Sequence, residues 1–145
     1  MNTKYSEIVE LVVHLMNEYK IYDDLVENRI DKLVDIFKPF IKIACAEIEN
    51  TNFYDWDIKR NDEQNEFENE FSDGQQLIIA KFVVISYLTW DTNDILRIGL
   101  NLQDGDFKTY AEKNNLDGKL NLINTLKEDV YYNMTTRDYK LNSPW

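Results

Sequence analysis

The apolar positions of this chain fall into blocks with a helical period. In the first block Ile8, Leu11, Val12, Leu15, Met16 and Tyr19 recur three and four residues apart, with Glu7, Glu10, His14, Asn17 and Glu18 on the other side. The spacing predicts an amphipathic helix of about five turns. Asp24, followed three residues later by Glu27, has the form of a capping box, so a second helix is predicted to begin there. Its stripe is Leu25, Ile30, Leu33, Val34 and Phe37. Pro39 then either kinks it or supplies the first turn of a new piece carrying Phe40, Ile41, Ala44 and Ile48, with Asn50 as the stop.

Residues 51–58, TNFYDWDI, alternate large aromatics with short polar groups and read as a loop pinned by its rings, a brief strand being the alternative. Between Asn61 and Phe71, the carboxylates Asp62, Glu63, Glu66, Glu68 and Glu70 surround two apolar anchors, Phe67 and Phe71. That pattern predicts at most a marginal, well-solvated helix ending at Asp73-Gly74. Residues 77–90 are apolar nearly all round, and no turn residue divides the run into two strands. Its length fits one buried central helix, closed by a core Trp90.

After residues 91–93, a short segment with Ile95, Leu96, Ile98, Leu100 and Leu102 leads to a turn at Asp104-Gly105. Phe107, Tyr110 and Ala111 suit one short helix, and Asp117-Gly118 opens a last long one with the stripe Leu122, Ile123, Leu126, Val130 and Met134. The expected fold is all-α. It is a small helical bundle over residues 1–134 around a central buried helix, with an extended C-terminal tail over residues 135–145.

Composition agrees with a folded helical domain. The 145 residues suffice to bury roughly two-thirds of the unfolded surface, and 43% apolar content supplies a core. With four glycines and two prolines, the chain lacks the punctuation of a loop-rich all-β protein. A net charge of −11 argues against wrapping a phosphate backbone, which needs Lys and Arg to displace counterions. It leaves open a surface that guides DNA by repelling it, or one that imitates DNA.

Cys45 is the single cysteine, so no internal disulfide is available and a reducing interior is expected. Residues 1–10 show no basic stretch leading into an apolar one, so no signal peptide is expected. The longest apolar run, residues 77–88, is broken by Lys81 and Ser86 and is too short to span a bilayer, so no membrane role is expected.

The search for chemistry finds no constellation. Cys45 lies in the apolar context IKIACAEI and reads as a small core residue. His14 shares a face with Glu10, one turn earlier, and reads as half of a solvated ion pair. One histidine and one cysteine do not complete a structural zinc site. The carboxylates of residues 91–94 and 104–106 lack the central glycine and distal glutamate of an EF-hand and read as turns and caps. No phosphate-binding glycine loop, nucleophile elbow or zinc-protease motif occurs. No catalytic, cofactor-binding or metal-binding residue and no cofactor is therefore assigned, and the chain is expected not to be an enzyme.

The closing TTRDYKLNSPW keeps Tyr139, Leu141 and Trp145 without a helical period. Apolar groups of this size on a tail suggest that it docks on something. Asp138, Tyr139, Lys140, Leu141, Asn142, Ser143, Pro144 and Trp145 are thus the candidate partner-binding residues. Trp56 is equally a core or an interface residue.

Taken together, LIIAKFVVISYLTW, DFKTYAEKNNLDGKL and DYKLNSPW resemble the head-to-tail connector, or neck adaptor, proteins of tailed phages of low-GC Gram-positive bacteria. The resemblance covers roughly the second half of the chain; residues before it match nothing in that pattern. It implies a virion protein made in the host cytoplasm, a helical subunit of a homo-oligomeric ring, commonly twelvefold, in the neck. Portal protein and a tail or stopper protein would be its partners, the C-terminal tail would contact portal, and DNA would pass through the ring without specific binding. An acidic lumen suits that passage. The alternative reading is a small acidic DNA mimic that inhibits a nucleic-acid enzyme, carried by the net charge and the carboxylates of residues 62–70.

Overall fold

The computed structural model describes residues 1–18, 30–51, 54 and 56–142, with residues 17–18 and 131–142 as backbone alone. It is mostly helical, in agreement with the all-α expectation. Helix α1, Tyr5–Glu18, buries Tyr5, Ile8, Val9, Val12 and Met16 on one face. Glu7 reaches back to accept a hydrogen bond from the Lys4 backbone amide at 2.7 Å, which satisfies a donor at the helix start. His14 is exposed, and no ion pair joins it to Glu10. The expected capping box at Asp24 and Glu27 lies outside the described residues.

Helix α2, Ile30–Thr51, is continuous through Pro39, whose ring sits on the exposed side. Its buried face is Leu33, Val34, Phe37, Ile41, Ala44, Cys45 and Ile48. The packing of that face against α1 and a third helix holds the helix together where proline removes one backbone bond.

The acidic stretch between Asn61 and Phe71 corrects the expectation of a marginal helix. It forms a small antiparallel hairpin, β1 (Arg60–Asn61) and β2 (Glu66–Phe67), with Arg60 opposite Phe67 and Asn61 opposite Glu66. Asn65 takes the left-handed conformation (φ 52°) that the reversal requires, which asparagine tolerates better than most side chains. The N-terminal segment lies beside β2: the Phe67 amide donates to the Thr3 carbonyl and the Thr3 amide to the Asn69 carbonyl, both at 2.7 Å. Phe67 is fully buried, edge-on to Tyr5 and Phe71 at 4.9 and 5.2 Å. The described part of the preceding segment has no regular structure, and its rings do pin it. Tyr54 is buried and Trp56 half-buried, packed on Tyr54 and Phe71 at 4.9 and 6.1 Å.

The central helix α3, Asp73–Gly99, is longer than expected at both ends. Asp73-Gly74 does not end a helix but lies in the first turn of this one, which Ser72 caps. The Ser72 hydroxyl accepts from the Gln75 amide and the Gln75 side chain accepts from the Ser72 amide. Residues 91–93 do not stop it. Thr92 is buried, its hydroxyl donating to the Thr89 carbonyl, and Asp91 is paired with Lys119. Ile79, Ala80, Phe82, Val83, Val84 and Leu88 form its buried body, against α1, α2 and the last helix.

At Gly99 a Cβ would lie 2.5 Å from the Phe107 ring, so glycine there admits helix α4, Asp104–Lys113. Asp104-Gly105 therefore begins a helix rather than a turn. Asp104 and Asp106 sit in its first turn, where carboxylates favour the positive end of the helix dipole. Helix α4 buries none of its residues.

The last helix, α5, Leu116–Asn142, follows Asn115 in the left-handed conformation (φ 53°). It buries Leu122, Ile123, Leu126 and Val130 as its stripe predicts, while the side chain of Met134 lies outside the described residues. Two ion pairs, Lys119–Asp91 at 2.7 Å and Lys81–Asp129 at 3.6 Å, are ten residues apart on each helix in opposite senses. Helices α3 and α5 thus run antiparallel and in step.

Residues 135–142 were expected to be extended, and they continue α5 instead. Thr135 and Thr136 cost only a few tenths of a kcal/mol each in a helix that is already nucleated, and no proline intervenes before Pro144. Residues 143–145 lie outside the described residues.

Candidate functional site

Beside the buried face of α2 runs a second apolar stripe. Ile36, Phe40 and Ile43 follow one another at helical spacing, Ile36 and Ile43 about half exposed. Phe40 packs edge-on against Tyr87 of α3 at 5.1 Å and lies 5.7 Å from the Trp90 ring. Trp90 was expected in the core, but 57% of it is exposed. The reason lies in the helix period: Val83, Val84 and Leu88 face the neighbouring helices, while Trp90 leaves that face and covers Phe40 and Tyr87 with one side of its ring. The outer side of the indole remains open.

Beside Trp90 a groove of about 510 Å³ runs between α2, α3 and α5. Its walls include Ile43, Ile85, Trp90 and Val130, and its charged members among the described residues are Glu47 on α2 and Lys127 on α5. Leu96 near the end of α3 and Leu100 just past it are also exposed, Leu100 by 85%. The molecule therefore presents apolar surface along α2 and α3 that its own described helices do not cover.

The titratable groups are placed as structural members. Cys45 is buried, and burial pushes its thiol up to about 12, so it stands protonated in the core. Tyr5, Asp62 and Arg60 form a small network: the Tyr5 hydroxyl donates to Asp62 Oδ1 at 2.5 Å and Arg60 donates to both carboxylate oxygens, at 3.2 and 3.0 Å. The Tyr5 hydrogen bond, with Arg60 adding to it against the opposing effect of burial, holds the Asp62 carboxyl below the usual range. Burial first, and then Asp62, push the Tyr5 hydroxyl upward. Asp62, part of the acidic run that suggested a DNA mimic, is thus tied into the fold. Lys119 is buried and paired with Asp91. No cluster of three or more His, Cys, Asp or Glu side chains is disposed to hold a metal ion among the described residues. No helix among them is long and apolar enough to cross a membrane.

Of the predicted partner-binding residues, Asp138, Tyr139, Lys140, Leu141 and Asn142 stand on the last turns of α5, with only their backbone described; Ser143, Pro144 and Trp145 lie outside the described residues. The groove was missed in the sequence. Its signal was present as Ile43, an apolar position on the flank of the α2 stripe beyond what one buried face needs. Compared with protein-family models, curated proteins and solved structures, the chain matches none.

Proposed function

We propose that the chain is a structural assembly protein of a tailed-phage virion, a head-to-tail connector subunit. It forms a homo-oligomeric ring in the neck, between portal and the tail or stopper protein, through which DNA passes without specific binding. The observation that carries this reading is the open apolar stripe of Ile36 and Ile43 on α2 beside Trp90 of α3, on a molecule of net charge −11. A strongly charged chain gains solubility from its charge, and a group of large apolar side chains left open on it marks a surface that other molecules cover. The resemblance of the second half to neck adaptors supports the same reading and supplies its partners. The exposed carboxylates of Glu63, Glu68 and Glu70 would suit a wall that repels DNA.

Negative-stain microscopy of the purified protein, alone and mixed with portal, tests this. Rings in either preparation are expected; dispersed single subunits in both would refute the assignment.

A further inference from the structure

The open stripe of α2 is complementary to itself when turned end for end. Lys32, Ile36, Pro39, Phe40, Ile43 and Glu47 are spaced so that they lie along one side of the helix; Phe40 is half-buried and the other five are exposed. Lys32 and Ile36 stand as far before the midpoint between Pro39 and Phe40 as Glu47 and Ile43 stand after it, about 11 and 5 Å along the axis. Neither Lys32 nor Glu47 forms an ion pair with another described residue. The stripe thus has an apolar centre, a base at one end and an acid at the other.

A second copy laid antiparallel on this stripe, midpoint on midpoint, sets Ile36 of each copy against Ile43 of the other and Lys32 against Glu47. On the outer flank Asp35 and Lys42 are exposed as well, and Lys42 of one copy falls about 3 Å along the axis from the position opposite Asp35 of the other. Parallel packing would instead set Lys32 against Lys32 and Glu47 against Glu47. Sliding the antiparallel pair by one turn sets Ile36 against Glu47 or Ile43 against Lys32. The charges therefore select one orientation and one register. Trp90, with its outer side open beside Phe40, flanks the contact.

We propose that the free chain forms a two-fold dimer through α2, with Lys32 of each subunit paired to Glu47 of the other across an Ile36–Ile43 centre. The contact is isologous, the same surface serving on both subunits, and one partner completes it. One helix face per subunit stands at the small end of specific interfaces, under about 1,200 Å² in total, so the dimer is reversible. The pair describes the free chain and does not rest on the assembly reading. A contact that closes on itself does not continue round a ring, so a ring built through the same stripe replaces it.

Sedimentation velocity of the full chain without portal, over a dilution series through the micromolar range, tests this. Wild type is expected to pass from dimer to monomer on dilution. Lys32→Glu and Glu47→Lys are each expected to weaken association at least about tenfold, and the double variant, with the pair reversed and the net charge unchanged, to recover it. Lys108→Glu on α4 makes the same charge change as Lys32→Glu away from α2 and is expected to associate like wild type. All three positions are exposed, and circular dichroism melts check that every variant is folded. A wild type that is monomeric throughout, single variants that associate like wild type, or a folded double variant that fails to recover would each overturn the dimer. Rings that form on portal from a chain monomeric by itself would overturn it and leave the assembly reading in place. A dimer that gives no ring with portal would overturn the assembly reading alone.

Discussion

Asp91 and Lys119 show how a residue pair fastens two helices. Lys119 is buried, and its ammonium donates to Asp91 Oδ2 at 2.7 Å across the α3–α5 contact. Removing Asp91 takes one charge-assisted hydrogen bond from a buried ammonium, worth about 1.5–3 kcal/mol. Asp91→Ala is expected to lower unfolding stability in urea by about 3 kcal/mol, and Asp91→Ala with Lys119→Met to recover part of the loss. A single variant as stable as wild type would show that the pair fastens nothing. The Tyr5–Asp62 bond gives a second residue-scale expectation, with a sign that follows from the depressed carboxyl. Asp62 ionises more readily folded than unfolded, so its stabilisation is present above the ordinary carboxylate pKa, about 4, and fades as pH falls through the lower folded value. Tyr5→Phe removes the largest cause of that depression and should flatten this part of the acid limb of a stability–pH curve. An unchanged slope between pH 4 and pH 2 would contradict it.

At the scale of elements, capping and local backbone chemistry decide where helices begin and which of them persist. The Ser72–Gln75 box sets the start of α3, and Ser72→Ala is expected to cost about 1 kcal/mol in equilibrium unfolding. Pro39 acts in the opposite sense. It lies exposed inside α2, so Pro39→Ala returns a backbone donor and should stabilise the fold by about 1–3 kcal/mol, read as a raised midpoint of denaturation. A lowered midpoint would mean that the local bend made by proline is itself needed. The helical stripes were legible in the sequence because Ile8, Val12 and Met16, or Leu122, Leu126 and Val130, repeat over several turns and bury one side. The hairpin was not, since each strand is only two residues long and its partner, the segment around Thr3, is more than sixty residues away. The same limit hid Trp90: its run is apolar all round, so periodicity does not say which of its rings faces outward. The continuation of α3 through residues 91–93 depended on Lys119, a contact that no local pattern records. The groove is built from three separate helices, and only Ile43, on the flank of the α2 stripe, announced it.

For the whole molecule, charge and uncovered apolar surface work together. Repulsion between subunits of charge −11, with a range of about 30 Å at 0.01 M salt, should oppose crowding them into one ring, and screening shortens that range to about 8 Å at physiological ionic strength. On the assembly reading, the apolar faces of α2 and α3 would supply attraction that salt does not weaken. Native mass spectrometry of the full chain, alone and with portal, reads the outcome in one measurement. The assembly account predicts a discrete species at an integral multiple of the 17.3 kDa subunit, with or without portal bound. A spectrum holding only the 17.3 kDa chain in both preparations, at concentrations where it is folded, would contradict it.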